Sequence, residues 1–414
     1  MPALPHGPSP RRPSSSRTGA AVLLSTIALF TSACATGGSS SGSDTTNAPG
    51  VTDNQILLGT SADLTGPAGA FGVAFSRGTD AWFKHVNAGG GVHGRKIEYR
   101  VVDDGFDVSR ALGNTRSLIK EPIFAVVGGN GAGSIVPIAQ LLNQQKVPYL
   151  FPPTGKPEFA TASLPYVFAM IPTFSDQLDA LIRWSAHEHG AGSVFHLVAE
   201  TTDIKQQTQA VEKAVSSVGG KFLGSATVPI GSADITPFAL QAAAGKPDYI
   251  ALSTGPADAI KIIDYLASAG RLPAKGFLDV TPHPGQPFLD GVTSPEARKL
   301  VYAVAPTVPP TDPAAAGCND ALAKFYPGQK PDAQTTFGCA VGQATVAALK
   351  AAGQNPTRGG LVKALESMDK ADVSDVIPPL TFTADQHMGA TALPLVVIKG
   401  DEFSVVTNVS MRTQ

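Results

Sequence analysis

The chain has 414 residues, 43% of them hydrophobic, with a formal net charge of -2 and only 15% charged residues. That length can bury substantial cores in two or three domains. The sparse, balanced charge lacks the concentrated basic footprint of a nucleic-acid binder, so no nucleic-acid partner is expected.

Arg11, Arg12 and Arg17 precede an apolar run from Ala20 to Phe30, and Thr31-Ser32-Ala33-Cys34 follows at once. This is the anatomy of an export signal, and the run is too short to span a bilayer comfortably. Arg11-Arg12 also looks like a twin-arginine signal, but Pro13 and the serines after it spoil that motif. The tetrapeptide resembles a bacterial lipobox: Ser32 and Ala33 fit the pattern, while Thr31 stands where Leu is usual. The resemblance implies a lipoprotein signal peptide over 1–33 and a lipid on Cys34, which anchors the mature chain to the outer side of the cytoplasmic membrane. Residues 34–54 are a Gly/Ser/Thr-rich tether with too few apolar groups to fold. They contain a formal G-x-S-x-G at Gly38, Ser40 and Gly42, but a nucleophile elbow needs a strand before it and a helix after it, and neither is present.

The folded part opens with a predicted strand over 55–59, a Gly/Pro loop over 62–72 and a helix over 73–87. A turn at Gly89-Gly90-Gly91, a strand over 96–103 and a helix over 109–120 follow. The next stretch, FAVVGGNGAGS from Phe124 to Ser134, joins a buried apolar strand to a helix through Ile135, Ile138, Leu141 and Leu142 by a glycine-rich turn. Helix N-termini at the carboxyl ends of parallel strands offer free N–H groups and a partial positive charge to an anion, which makes Ser134 a candidate for gripping a ligand carboxylate. The loop is neither of two familiar nucleotide loops. A P-loop needs Lys before its Ser/Thr, and the dinucleotide fingerprint needs a third glycine where Ser134 stands. With a further strand over 147–150, strand and helix alternate throughout, as in a parallel, doubly wound sheet.

The segments ILLGTSADLTGPAGAFG, VNAGGGVHGRKIEYRVVDD and FAVVGGNGAGS with VPYLFPP resemble the first lobe of the type I extracytoplasmic solute-binding proteins, the leucine/isoleucine/valine-binding family of ABC importers. VPIGSADITPFALQAAAGKPDYIALSTGP resembles that family's second lobe. The second half repeats the pattern of the first: strands over 193–199 and 249–253, helices over 208–218 and 257–269. The resemblance implies two doubly wound α/β lobes joined by a three-segment hinge, the type I periplasmic binding protein fold. It places the first part of lobe 1 at 55–170, the first part of lobe 2 at 171–303, a return to lobe 1 at 304–377 with a helix over 338–352, and a closing lobe 2 segment at 378–414.

Catalytic constellations are weak. His187-Glu188-His189 are chain neighbours that do not share a helix face, and Asp103, Asp104 and Asp107 sit at a strand end beside Gly105, where a polar turn is the simpler reading. With Cys34 lipidated, Cys318 and Cys339 remain as a pair outside the cytoplasm, and a disulfide is expected, two buried thiols being the alternative. Cysteines without neighbouring histidines give no zinc site.

By resemblance, the first-lobe loops present backbone N–H groups and hydroxyls to a ligand carboxylate, which carries over to Gly133, Ser134, Pro153 and Thr154, with Phe71 where a ring covers the ligand. In the second lobe the turn at Thr254 opens a helix, Ile204 stands where amino-acid binders place an aromatic ring, and Asp203 and Asp279 are the acids available for an amine. The expected protein is a non-enzymatic, cofactor-free, monomeric substrate-binding component that serves the permease and ATPase subunits of an ABC importer. Its solute is a branched-chain amino acid, an amide or a small carboxylate. A ligand sensor with the same two lobes is the alternative.

Overall fold

The computed structural model describes residues 48–411 apart from Ala132, Ala162, Thr202, Pro282 and His283. Cys34 and the expected signal peptide lie outside the described residues.

The elements run β1 (Gln55–Ala62), α1 (Gly69–Ala88), β2 (Lys96–Asp103), α2 (Val108–Lys120), β3 (Ala125–Val127), α3 (Ile135–Gln144), β4 (Tyr149–Leu150) and β5 (Val167–Phe168). These strands form a parallel sheet in the order β2-β1-β3-β4-β5. There follow α4 (Phe174–His189), β6 (Ser193–Ala199), α5 (Ile204–Ser217), β7 (Lys221–Val228), α6 (Thr236–Ala244), β8 (Tyr249–Ser253), α7 (Pro256–Ser268), β9 (Gly276–Asp279), α8 (Gln286–Gly291), α9 (Pro295–Arg298) and β10 (Val301–Val304). The chain then forms α10 (Ala316–Phe325), α11 (Ala333–Ala351) and α12 (Arg358–Glu366) before β11 (Ala392–Lys399) and β12 (Glu402–Ser410). The second sheet has the order β12-β11-β10-β9-β8-β6-β7; β6 to β10 are parallel, β11 is antiparallel to β10, and β12 is antiparallel to β11.

Alternation along the strands builds a core on each face of each sheet. Ile56 and Leu58 pack on one side of the first sheet and Leu57 on the other; in the second, Ile250 and Leu252 oppose Tyr249 and Ala251. β3 is buried at every residue, as a central strand covered on both faces must be, whereas the edge strand β2 exposes Lys96, Glu98 and Arg100.

The return to the first lobe depends on close helix packing. A Cβ on Gly338 of α11 would lie 2.0 Å from the Phe75 carbonyl oxygen of α1, and one on Gly78 would lie 2.0 Å from that of Thr335. Thr79 Oγ1 donates to the Gly338 carbonyl at 2.9 Å, and a Cys318–Cys339 disulfide ties α10 to α11. α11 begins at Ala333, earlier than the expected 338, because Asp332 and Thr335 form a capping box.

The stretch expected to open the closing lobe 2 segment stays with the first sheet instead. Met388 bridges to Ala169, with Ala169 N donating to the His387 carbonyl and Gly389 N to the Ala169 carbonyl, each at 2.9 Å. Ile377, Leu380 and Phe382 join the first lobe's core. The last crossing therefore lies near Thr391, just before β11, and not at 377.

His196, in β6 between β7 and β8, is fully buried with Nε2 2.9 Å from Ser253 Oγ, and burial pushes its pKa down to about 3. His387 is also buried and shifted down by desolvation. Their unfolded pKa is about 6.5, so as pH falls below that value the unfolded chain takes up protons that the folded chain refuses. Stability is expected to be full above pH 6.5 and to fall by about 1.4 kcal/mol per unit through His196 alone as pH drops toward its folded pKa. Urea midpoints from pH 7 to 4.5 check this: His196→Gln flattens the slope, and an unchanged slope refutes the assignment. Gly338→Ala should destabilise by about 1–3 kcal/mol or more, because the obstructing atom is backbone; a melting temperature equal to wild type contradicts the close packing of α1 on α11.

Candidate functional site

Parallel strands leave every strand-to-helix loop of a lobe at one edge of its sheet. In the first lobe, the loop after β1 is shaped by Asp63, a fully buried residue whose carboxylate accepts from Gly66 N at 2.5 Å and Ala68 N at 2.7 Å. Asp63 N donates to Asn130 Oδ1 at 2.8 Å, which pins the glycine loop after β3 to the loop after β1. Gly129 takes a φ of 88°, a conformation that strains any L side chain, and a Cβ there would meet the Ser61 carbonyl oxygen at 2.7 Å. Ser134 ends this loop at the N-terminus of α3. It is buried, makes no capping bond, and turns its hydroxyl to the Gly131 carbonyl at 3.3 Å; Gly133 beside it is exposed. Phe71 is half-buried and stacks on Phe75 at 5.6 Å, so its ring is partly held by the core.

The loop after β4 begins with Phe151 at a φ of 58°, a left-handed conformation that costs a bulky residue on the order of 1–2 kcal/mol. Its ring is buried and stacked on Phe382 at 6.1 Å, which holds the strain in place. Pro153 and Thr154 are half-buried, and Thr154 Oγ1 accepts from Lys156 N at 3.3 Å.

In the second lobe Thr254 is buried between β8 and α7, its hydroxyl 3.3 Å from the Gly255 carbonyl. Asp279 is fully buried at the end of β9 and accepts from Val280 N at 3.1 Å. Two residues on, Thr281 N donates to Gln177 Oε1 at 2.9 Å, and Gln177 is itself tied to the Pro172 carbonyl at 2.8 Å. Asp203 is no solvated loop residue. Its side chain is 9% exposed, it accepts from Thr201 Oγ1 at 2.6 Å and Gln207 Nε2 at 3.0 Å, and it faces Lys156 Nζ at 3.5 Å. Burial alone would raise its pKa; the hydrogen bonds from Thr201 and Gln207 and the charge of Lys156 outweigh burial and hold the carboxyl below its ordinary value.

Lys156 belongs to the loop between β4 and β5, and Asp203 to the loop between β6 and α5, so this pair crosses from one lobe to the other. A second crossing contact lies at Gly285, where a Cβ would be 3.1 Å from Gln334 Nε2 and 3.6 Å from Ala333 Cβ. Beside it opens a cavity of about 520 Å³ whose walls include Gly285, Pro306, Pro309, Lys330, Asp332 and Phe403. None of the ligand residues expected from the sequence lines it. The α11 terminus at its wall is already closed by the Asp332 capping box, so the strand-end loops remain the better candidate site.

The remaining acids serve the loops. Asp103 accepts from Thr65 Oγ1 at 2.7 Å and Leu64 N at 2.8 Å, Asp104 from Ser61 Oγ at 2.8 Å, and Asp107 caps α2. His187 and Glu188 pair with each other on an exposed helix end. Among the described residues no group of three or more His, Cys, Asp or Glu is placed to hold a metal ion. Asp63, Asn130, Lys156, Gln177 and Gln207 escaped the sequence reading, because each acts on a partner distant in sequence or one helical turn away, with no motif to mark it.

Comparison with known proteins agrees with this architecture. Residues 55–402 match the family model described as "Periplasmic binding protein". A Leu/Ile/Val-binding protein homolog 3 from Brucella melitensis is 28% identical over 113 residues, 27% of this chain and 31% of the relative, so the chain spans about a third of that protein. A Leu/Ile/Val-binding protein homolog 1 from Brucella abortus is 23% identical over 307 residues, 72% of this chain and 79% of the relative. Among solved structures, a fatty acid ABC transporter substrate-binding protein from Thermomonospora curvata superposes with a TM-score of 0.74 at 21% identity, covering 88% of this chain and 95% of that one. A branched chain amino acid ABC transporter from Thermus thermophilus with bound valine gives 0.73 at 17% identity, covering 87% and 98%. With a match that runs from the first strand of one sheet to the closing hairpin of the other, this chain belongs to the periplasmic binding protein family and has its type I fold.

Proposed function

We propose that the chain is the substrate-binding component of an ABC importer, anchored by lipid at Cys34 outside the cytoplasmic membrane, which captures a small carboxylate by hinge closure and hands it to a membrane permease. The observation that carries this reading is a contact between strand-end loops of the two lobes: Lys156, two residues after Thr154 on one lobe, lies 3.5 Å from Asp203 on the other. Ser134 and Thr154 on the first lobe, and Thr254 and Asp279 on the second, follow strand ends of the same two sheets. Helix N-termini and hydroxyls on the first lobe suit a carboxylate, which is common to the amino acids and the fatty acid named for the similar proteins.

The second lobe decides whether the solute carries an amine. A buried ammonium needs a carboxylate partner. Asp203 already faces Lys156, Asp279 is an acid buried at the end of β9, and Ile204 replaces the ring expected of amino-acid binders. A small carboxylate without an amine therefore fits the site at least as well as leucine, isoleucine or valine.

A thermal-shift screen of amino acids, amides and small carboxylates should find the solute, since saturation at about 100 times the dissociation constant adds about 2.7 kcal/mol. Ser134→Ala should then raise the Kd roughly tenfold to a hundredfold, the equivalent of about 1.5–3 kcal/mol for a hydrogen bond to a charged group. Calorimetric titration checks it, and an unchanged Kd removes the glycine loop from the site. With L-valine and isovalerate as a matched pair of probes, Asp279→Asn should weaken only the amine-bearing one; equal losses contradict the pairing of Asp279 with an amine. Cys34→Ala should release soluble protein or block processing in membrane fractionation, and unaltered membrane attachment and maturation overturn the lipid anchor.

A further inference from the structure

We propose that Lys156 and Asp203 form a latch across the solute cleft, an ion pair made only when the lobes close, so that these side chains set the affinity of the site without touching the solute. The inference rests on the two-lobe binding reading above, and adds to it the residues that balance open against closed.

The two groups are brought together by the lobes and by nothing local. Lys156 follows β4 of the first sheet, and Asp203 follows β6 of the second. Their charged atoms lie 3.5 Å apart with side chains only 21% and 9% exposed. A hinge motion that separates the sheets must pull this contact apart, because neither residue lies in a crossing segment.

Each partner is also held in position from its own side. Asp203 occupies the N-cap position of α5, where an aspartate usually accepts from the helix N–H groups, yet its side chain makes no capping bond. Its carboxylate is instead fixed by Thr201 Oγ1 at 2.6 Å and Gln207 Nε2 at 3.0 Å, which aim it at the other lobe. On the opposite side, Lys156 N donates to Thr154 Oγ1 at 3.3 Å, which couples the latch lysine to the loop proposed to grip the solute carboxylate. A pair preorganised in this way loses less side-chain entropy on closing than two free surface chains would. Shielding from solvent also strengthens its attraction over that of an exposed pair.

The consequence is a population shift. If the closed form binds the solute, apparent affinity is scaled by the fraction of protein that is closed, so weakening the latch weakens binding by opening the lobes. A pair that merely stabilised one lobe would change the melting temperature and leave the distance between lobes as it was.

Spin labels at Lys120→Cys on the first lobe and Glu212→Cys on the second, both exposed, report that distance by double electron–electron resonance. In ligand-free protein, Lys156→Gln and Asp203→Asn should each move the distribution toward longer distances. The charge-reversed pair Lys156→Asp with Asp203→Lys should move it back, and 1 M NaCl should lengthen the wild-type distances more than those of the single variants. With whichever of L-valine or isovalerate binds the wild type, each single variant should raise the Kd roughly tenfold through a faster off-rate. Identical distributions in wild type, single variants and charge-reversed pair overturn the latch. The distance measurement needs no solute, so it stands even if neither probe binds, an outcome that would count against the solute-binding reading alone. Circular dichroism of each variant confirms folding, and the near-isosteric amides keep the test open should the reversed pair fail to fold.

Discussion

A parallel strand followed by a right-handed crossover always delivers the next loop to the same edge of its sheet, and this rule builds the molecule twice. β1, β3 and β4 bring their carboxyl ends to one edge of the first sheet, and β6, β8 and β9 bring theirs to one edge of the second. Helix N-termini, glycine turns and small hydroxyl residues gather at those edges because that is where the chain must turn and where helical N–H groups are left without partners. In the proposed reading, two such edges share one solute site that neither lobe holds alone, and a hinge would open and close it.

The rest of the structure keeps those edges in register. Asp63 and Asn130 lock the loops after β1 and β3 to each other, and Phe151 accepts an unfavourable backbone conformation so that the loop after β4 can turn over Phe382. Behind them, the glycine-mediated approach of α1 and α11 fastens the returning segment to the lobe it left, across a separation whose closure entropy grows only logarithmically with length, and the Cys318–Cys339 bridge ties the segment's own helices α10 and α11 together. Rigid lobes and mobile crossings are what a hinge requires. Buried His196 makes the stability of the second lobe depend on pH.

Local signals carried the fold and the first-lobe loops. The apolar run before Gly128, the periodicity after Ser134 and the strands 193–199 and 249–253 were legible because each expresses a period of its own within a short window. The start of α11 was missed because that helix is buried nearly all round and shows no amphipathic stripe, although Asp332 and Thr335 stood at capping-box spacing. The edge hairpin β12 exposes Glu402, Thr407 and Asn408 and so lacks the apolar run of a central strand. The site was less legible than the fold. Ser134 and Thr254 fall at strand-to-helix turns that can be read from the sequence, but the pairing of Lys156 with Asp203 joins residues on different sheets, and no local pattern encodes it. The same holds for Asp279, whose complete burial at the end of β9 emerges only from its neighbours β8 and β10.

Two places are open to test as the solute site: the strand-end loops proposed above, and the cavity of about 520 Å³ walled by Pro306, Pro309 and Lys330. A crystal structure of the protein grown with the compound that raises its melting temperature most would distinguish them. Density is expected between the loops after β3, β4, β8 and β9, with a carboxylate oxygen within hydrogen-bond distance of Ser134 Oγ and Lys156 still facing Asp203. Density seated in the proline-walled cavity, with the strand-end loops empty, would contradict it.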